Sequence, residues 1–436
     1  MWMVYYSEMM QIERGRIIHL AEAEMRKRFI SIICTSVCAG MLLCACSSNA
    51  DENVFTGDTT EKPAYQAKLN AISPAAYSSV EGLELEPGTY ISVIGKEEDS
   101  AYWNQIRAGV EQAAEDLNEA LGYSGSDQIK VLYNAPADEE DMNEQVNILD
   151  EELARYPDVI AIASIDEAAS EVQFDLAAGN DIPVVAFDSG NAYQGIQCTC
   201  KTDSSAAAAE GAAKLCEAIG GSGEVALIVH DSVSESARER EEAFKEALSA
   251  EYPGAAVVET IYMDDLEEIK KSAAAEQLGV SLEEIQAEQP AEGTEQGEEP
   301  TGDASAVLEE INAAAEKISD EDAVAYCLKK HPELKGCFGT NVDATQLALK
   351  AIGSLEDTDD VVLMGFDAGK EQLEALESGE IDGLVVQNPF GIGYAAVIAS
   401  ARTVLEIGNE AQVNTGYIWA DQENLEEEAV QAMLYE

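Results

Sequence analysis

The sequence predicts an α/β protein of two Rossmann-like lobes, each built on a parallel sheet. Two observations support this fold class. Short apolar runs rich in Val and Ile alternate with segments of helical periodicity from residue 90 to residue 187, and the same alternation resumes after residue 197. This alternation is typical of strand–helix–strand units, whose right-handed crossovers place successive strands parallel in one sheet.

The first block contains four predicted strands and three predicted helices. The strands are expected at residues 90–94, 129–133, 159–163 and 183–187, and the helices at residues 102–121, 139–156 and 167–179. In the first of these helices Ile106, Val110 and Leu117 share one face, so that face should cover the sheet.

The second block repeats the pattern over a longer stretch. Its strands are expected at residues 225–229, 256–262, 336–339, 361–364 and 384–387, and its helices at residues 204–219, 236–248, 343–352 and around Leu373 and Leu376. Residues 264–320 interrupt it as an acidic insertion without aromatic residues. The ends of the insertion, residues 266–278 and 304–318, are predicted helices, and its Glu-, Gly- and Pro-rich middle, residues 290–302, is predicted to be disordered.

Polar side chains follow two successive strands of the second block. Asp367 comes directly after the strand that ends in Gly365-Phe366, and Gln387 closes the next strand, before Asn388 and a Pro389 that prevents further ladder pairing. Ligands of open α/β sheets bind at the carboxyl ends of the strands. The sequence therefore predicts a binding cleft at this edge.

The segment before the first strand carries a predicted lipoprotein signal. Residues 25–28 are Met-Arg-Lys-Arg and residues 29–45 are an apolar run shorter than a membrane span, which together indicate a secretory signal peptide. The run ends in Leu-Cys-Ala-Cys-Ser-Ser, which resembles the bacterial lipobox, so Cys46 is the predicted lipidation site; a plain anchor helix is the alternative. Residues 1–24 are then interpreted as a non-native upstream extension, with translation starting at Met25, and residues 46–87 as a flexible tether.

Composition narrows the class of partner. The formal net charge of −60 opposes binding to nucleic-acid phosphate and to anionic membranes, so no nucleic acid is expected as a partner. Beyond Cys46 the cysteines are irregularly spaced, and no neighbouring His completes a ligand set. We therefore expect buried, unpaired cysteines, no metal and no cofactor.

Seven short motifs then occur in a fixed order between residues 90 and 419. They are Ala101-Tyr102-Trp103, residues 182–189 (IPVVAFDS), Thr202-Asp203, residues 236–240 (SARER), Gly339-Thr340-Asn341, Gly365-Phe366-Asp367 and Gln387-Asn388-Pro389. With these motifs the chain resembles the type I periplasmic-binding-protein family, specifically the ribose- and galactose-binding-like solute receptors of ABC importers.

The resemblance implies which residues would contact a ligand. Tyr102 and Trp103 fall where the receptors of this family place aromatic rings that sandwich a sugar, and Asp188 matches their hydroxyl-binding aspartate. The other matches are the cleft arginine of the family and the polar contacts of its second lobe: Arg238, Asn341, Asp367 and Gln387.

Simpler interpretations of several of these residues stay open. Tyr102 and Trp103 are alternatively core residues, and Arg238 is alternatively an exposed charge paired with Glu235. Asp367 is alternatively a helix N-cap, and Asn341 a turn residue.

The pattern also departs from a ribose site. Ser189 stands where an arginine is common, Ala163 replaces a polar residue, and Val342 replaces an acidic one. Lys96, at the end of the first strand, and Ser100 are, with Ser189, the secondary ligand candidates. The ligand class therefore stays open among pentoses, hexoses, inositol-like polyols and furanose signal molecules.

The resemblance also implies the lobe boundaries. Three crossovers near residues 200–202, 386–389 and 415–419 would form the hinge. The first lobe is then expected to comprise residues 88–201 and 388–416, and the second residues 202–387 and 417–436.

The function implied is that of a monomeric extracytoplasmic receptor and not of an enzyme. It would be anchored to the outer face of the cell membrane only by its lipid, close around a small sugar or polyol, and deliver it to an ABC permease. A subunit that presents the solute to a receptor kinase is the alternative. A secreted hydrolase is the third hypothesis, with His230 beside Asp231 and Ser232 as its sole acid–base arrangement.

Overall fold

The structure is a computed structural model that describes residues 63–139, 141–287, 302–355 and 361–435. The strands are β1 Tyr90–Ile94, β2 Lys130–Asn134, β3 Val159–Ile162, β4 Val184–Phe187, β5 Ile196–Lys201, β6 Ser222–Val229, β7 Gly254–Tyr262, β8 Leu334–Gly339, β9 Val362–Phe366, β10 Gly383–Gln387, β11 Gln412–Asn414 and β12 Tyr417–Ala420. The helices are α1 Gln66–Asn70, α2 Ala101–Leu121, α3 Met142–Leu153, α4 Glu171–Gly179, α5 Ser204–Ala218, α6 Glu235–Glu251, α7 Leu266–Leu278, α8 Leu282–Ala287, α9 Gly302–Ala315, α10 Asp320–Leu328, α11 Val342–Gly353, α12 Lys370–Ser378, α13 Pro389–Val404 and α14 Glu428–Gln431.

The strands form two six-stranded sheets, which confirms the predicted two-lobed α/β fold. The first sheet has the order β11-β5-β4-β3-β1-β2 and is parallel throughout. The second has the order β12-β10-β9-β8-β6-β7, in which only β12 runs antiparallel, against β10. Every strand of the sequence-predicted alternation is present, and β5, β11 and β12 are additional to it.

Three crossovers join the lobes, as the sequence predicts. The chain leaves the first sheet after β5, leaves the second after β10, and passes from β11 to β12 within residues 414–417. The second crossover leads into α13, which packs against β3, β4 and β5 of the first sheet. A helix that follows a strand of the second lobe therefore belongs to the core of the first.

The crossing of α2 and α13 depends on two glycines. A Cβ on Gly109 would lie 2.0 Å from the carbonyl oxygen of Phe390, and a Cβ on Gly393 would lie 2.0 Å from that of Ile106. Because both obstacles are backbone atoms of a packed helix, neither can move without separating the helices.

We expect Gly393→Ala to lower the free energy of unfolding by about 1 to 3 kcal/mol, because the helices must part to admit the methyl group. Gly353→Ala is the matched control, since nothing lies within 4 Å of a Cβ at that helical position. Urea unfolding followed by circular dichroism measures both variants. Equal midpoints for the two would contradict the close helix contact.

The predicted tether is too long. Within residues 63–87, α1 and the loop after it pack on the first lobe through buried Leu69, Ile72, Tyr77 and Leu85. The backbone of Ser73 also exchanges two hydrogen bonds with Asn414 in β11. The apolar residues here follow no regular period, because they fit the surface of the lobe rather than a helix face of their own.

Both ends of the acidic insertion are helical, as the sequence predicts. Helices α7 and α9 pack together through Ala274, Ala275, Ile311 and Ala315, all buried. Its predicted disordered middle falls almost wholly outside the described residues. So do the upstream extension, the signal peptide and Cys46.

Candidate functional site

A cavity lies between the lobes where the carboxyl ends of both sheets face each other. It encloses about 630 Å³ of empty space, part of it open to solvent. Eight of the ten candidate residues line it: Lys96, Ser100, Tyr102, Trp103, Asp188, Asn341, Asp367 and Gln387. The other two, Arg238 and Ser189, do not.

The wall from the first lobe is aromatic. The hydroxyl of Ser100 accepts a hydrogen bond from the backbone N–H of Trp103 and so caps α2 at the cavity. The rings of Tyr102 and Trp103 pack edge to face with 5.6 Å between their centroids, and the rings of Trp103 and Phe187 do so with 6.5 Å between theirs. Tyr102 donates a hydrogen bond of 2.5 Å to Asp188. Trp103 is only 1% exposed, so the alternative of a core residue is correct for it even though it lines the cavity.

The wall from the second lobe is polar. Asp367 Oδ1 accepts from Gln387 Nε2 at 2.8 Å and from the hydroxyl of Tyr435 at 3.0 Å. Burial raises the pKa of Asp367 to about 6, although Arg240 and these two donors oppose the rise. Asp367 is not an N-cap, because Gly369 caps the next helix.

Asp188 and Asp367 occupy equivalent positions in the two lobes. Each follows a buried strand, and each has left-handed backbone, with φ of 57° and 74° respectively. Aspartate tolerates this conformation better than most residues. The turn aims both carboxylates into the cavity instead of continuing the strand.

The cleft arginine is Arg240 and not Arg238, which corrects the sequence prediction. Arg240 is 4% exposed, and it donates to the Thr340 carbonyl at 2.6 Å and to Gln387 Oε1 at 2.8 Å. Its guanidinium also lies 4.3 Å from the centre of the Phe366 ring.

Arg238 points away from the cavity because two residues along a helix turn the side chain by about 200°. It donates to the carbonyl of Val233 and pairs with Glu167 of the first lobe. It is thus an exposed, paired arginine, as the alternative interpretation held, although the partner is not Glu235. Ser236 lies four residues before Arg240, on the same face of α6, and lines the same cavity.

Ser189, predicted as a secondary ligand candidate, does not line the cavity, which is a second correction. Its hydroxyl is fully buried and donates to the carbonyl of Ser164 at 2.7 Å, which joins the loops after β3 and β4. Asn341 lines the cavity, and its side chain caps α11 by accepting from the N–H of Ala344, so it is a helix N-cap rather than the turn residue of the alternative interpretation.

Sequence reasoning missed several cavity residues, three of which are acidic. They are Glu97, Glu139, His230, Ser236, Val342 and Asp343, besides Arg240. His230 Nδ1 lies 2.7 Å from Thr340 Oγ1, and burial lowers the pKa of its imidazole, so the ring is neutral at pH 7. With a pKa lowered to about 3, the imidazole is a weak proton acceptor at pH 7, which argues against the acid–base role of the hydrolase hypothesis.

Glu139 is the most perturbed carboxyl of the cavity. Burial raises its pKa to about 8, Lys96 opposes the rise, and Asp343, Asp188 and Glu97 add to it. Lys96 Nζ is 4.0 Å from Glu139 Oε1.

The raised pKa makes the stability of the unliganded protein pH-dependent. A carboxyl whose pKa is raised by folding stabilises the fold below its unfolded pKa, near 4.5, and that stabilisation is lost as the pH rises towards 8. We expect the unliganded protein to lose about 1 to 2 kcal/mol between pH 6.5 and pH 8.5, the full shift being reduced by water in the cleft. In Glu139→Gln this loss should disappear. Thermal melts of both proteins at the two pH values measure this loss. If the wild type and Glu139→Gln lose the same stability, a group other than Glu139 causes the pH dependence.

Cysteines, groups of metal-ligating side chains and long apolar helices are the remaining features of the described residues. Their five cysteines are buried and unpaired, as expected. Within this part of the chain no group of His, Cys, Asp or Glu is arranged to hold a metal ion. None of its helices combines the length and the hydropathy needed to cross a bilayer.

Comparison with known proteins identifies the family. A family model described as the periplasmic binding protein domain matches residues 91–287 and 292–407. No curated protein sequence matches the chain.

Solved structures share the fold. A carbohydrate transporter solute-binding protein from Agrobacterium radiobacter, in complex with D-arabinose, is 24% identical with a TM-score of 0.60, over 79% of this chain and 98% of that one. An ABC transporter solute-binding protein from Agrobacterium vitis, bound with α-D-tagatopyranose, is 21% identical with a TM-score of 0.60, over 80% and 99%. An arabinose-binding protein from Geobacillus stearothermophilus is 22% identical with a TM-score of 0.56, over 78% and 98%. The chain therefore belongs to the periplasmic binding protein family and has its two-lobed type I fold.

Proposed function

We propose that the protein is the solute receptor of an ABC importer and captures a small sugar or sugar-like polyol between its lobes. One observation carries the proposal. The aromatic pair Tyr102 and Trp103 lies in the same cavity as Asp188, Asp367 and Arg240. Aromatic faces pack on the C–H faces of a sugar ring, while carboxylates and a guanidinium pair with adjacent hydroxyl groups.

The chemistry of the relatives supports this ligand class. Solved structures with the same fold hold D-arabinose, α-D-tagatopyranose and D-fucose. These are neutral monosaccharides, and the cavity of this chain, with about 630 Å³ of empty space, has room for one. The family to which the chain belongs is one of binding proteins, which supports a protein that acts by binding and release rather than by catalysis.

Lobe closure is the mechanical part of the proposal. The ion pair of Arg238 with Glu167 joins the lobes across the cleft, and Lys201 at the end of β5 pairs with Glu235 and Glu239 of α6. A ligand held by both walls would favour this arrangement, and the permease would recognise the closed form.

A thermal-shift screen against monosaccharides, polyols and nucleosides tests the ligand class. A neutral monosaccharide at 100 times its Kd should stabilise the protein by about 2.7 kcal/mol. Stabilisation by nucleosides alone, or by no member of the panel, would overturn the carbohydrate assignment.

The location follows from the N-terminal sequence. We propose cleavage of the signal at residues 25–45, lipidation of Cys46, and anchoring of a monomer to the outer face of the cell membrane. The short stretch of residues 47–62 would then act as the tether.

The lipid anchor is testable with a built-in control. We expect Cys46→Ala to release the protein from the membrane fraction and to abolish incorporation of labelled palmitate, because the thiol is the acylation site. Cys44→Ala, two residues earlier, should behave like the wild type. Membrane retention of Cys46→Ala would favour the plain anchor helix instead.

A further inference from the structure

We propose that the sugar ligand carries a protonated amine, as in an amino sugar or aminocyclitol, and that Glu97, Glu139 and Asp343 bind its ammonium group. The inference rests on the proposed function and names the chemical class of the ligand for the same cavity.

The cavity has more negative than positive side chains. Its carboxyl groups are Glu97, Glu139, Asp188, Asp343 and Asp367, against the cations Lys96 and Arg240. Glu139 keeps its proton at pH 7 in the unliganded cavity although Lys96 lies 4.0 Å away, and a further cation would lower its pKa and release that proton. Arg240 is already bonded to Thr340 and Gln387. An anionic sugar, such as a uronic acid or a sugar phosphate, would be repelled, and a neutral sugar would leave the excess uncompensated.

The five carboxylates divide into an inner and an outer set. The inner pair accept hydrogen bonds from neutral protein donors, Asp188 from Tyr102 and Asp367 from Gln387 and Tyr435. Their remaining lone pairs suit sugar hydroxyls.

The outer set, Glu97, Glu139 and Asp343, spans the cleft. Glu97 and Glu139 belong to the first lobe and follow β1 and β2, whereas Asp343 lies in the first turn of α11 in the second lobe. Burial raises the pKa of each of the three, and the charge of Asp343 raises those of Glu97 and Glu139 further. Closure therefore brings like charges of the two lobes together, and a cation between them would convert this repulsion into attraction.

An ammonium group meets this requirement better than a metal ion. The three carboxylates, like every other group in the described part of the chain, lack the arrangement that a metal ion needs. The three N–H donors of an ammonium accept looser geometry. Towards solvent the cavity continues into a second one, whose lining adds Asp166, Asp231 and Asp264. This acidic entrance would raise the local concentration of cationic solutes.

Arg240 gives an independent indication of how such a ligand is oriented. Its Nε is buried and has no hydrogen-bond partner among the described residues. An unpaired buried donor in the cavity points to an acceptor on the ligand, such as a hydroxyl oxygen. The hydroxyl-bearing end would then face Arg240 and the amine would face the outer carboxylates.

Calorimetric titration of the full-length protein in detergent at pH 7 tests the proposal with matched trios. One trio is D-glucosamine, D-glucose and N-acetyl-D-glucosamine; the second is the D-galactose series. In a trio that binds, we expect the free amine to bind at least about 10-fold more tightly than both neutral members, which is about 1.4 kcal/mol. In Glu97→Gln/Glu139→Gln the amine-to-neutral ratio should fall to near one. Glu144→Gln, an exposed acid on α3, should keep the wild-type ratio.

The outcomes separate this inference from the proposed function. Equal or tighter binding of the neutral sugar overturns the amine while it leaves the sugar receptor intact. Failure of every sugar and amino sugar to bind overturns the receptor assignment itself. If calcium chloride raises the affinity for the neutral sugar more than 10-fold, the outer carboxylates bind a metal ion, which also overturns the amine.

Discussion

Replacing Arg240 by Met is expected to lower the affinity for the sugar ligand about 100-fold, whereas Arg238→Met should change it by only a few-fold. The two arginines are two residues apart on α6 and differ in what they contact. Arg240 is buried in the cavity beside Asp367, and Arg238 is an exposed partner of Glu167. Loss of Arg240 removes a charged donor from a desolvated site, while loss of Arg238 removes a solvent-screened ion pair.

Isothermal titration of the tightest ligand of the thermal-shift panel measures both affinities. Circular dichroism of the unliganded variants is the control, because Arg240→Met also leaves the Thr340 carbonyl without its donor. If Arg240→Met folds like the wild type and binds the ligand normally, or if Arg238→Met loses binding altogether, then Arg240 is not the arginine that binds the ligand and Arg238 is.

Trp103→Ala is expected to be the most damaging single substitution in the cavity wall, with a loss of about 3 to 5 kcal/mol of unfolding free energy. The indole is 1% exposed and packs on Tyr102 and Phe187. Its removal leaves a hole in the core and also shifts the ring of Tyr102, so ligand binding should fail as well.

Trp103→Phe separates the two effects. The smaller ring should recover most of the stability but support the ring of Tyr102 less well, so the affinity for the sugar should stay clearly below that of the wild type. Urea unfolding measures the stability and calorimetry the affinity. A stable Trp103→Ala protein would show that the indole contributes little to the core.

The architecture could be predicted from the sequence, because local sequence patterns determine where its strands and helices lie. Val, Ile and Leu runs mark the strands, and short-range motifs place Asp188, Asp367 and Gln387 directly at strand ends. These positions could be predicted, since the end of a parallel strand faces the cleft whatever surrounds it.

The rest of the site depends on contacts that a linear pattern does not show. The choice between Arg238 and Arg240 requires the rotation of α6 relative to the sheet. Tyr435 reaches Asp367 from the far end of the chain, at a sequence separation of 68 residues. Glu139 follows β2 in a loop rich in acids, where only the closed arrangement of two lobes distinguishes a cavity carboxylate from a surface one.

The path of α13 bears on how the protein is made. The first lobe lacks its central helix and its edge strand β11 until residues 389–414 have been synthesised. We therefore expect the first 201 residues not to fold stably on the ribosome, because part of the apolar face of the first sheet stays uncovered until α13 has emerged. We therefore expect the two lobes to acquire their structure together, after the last crossover has emerged from the ribosome.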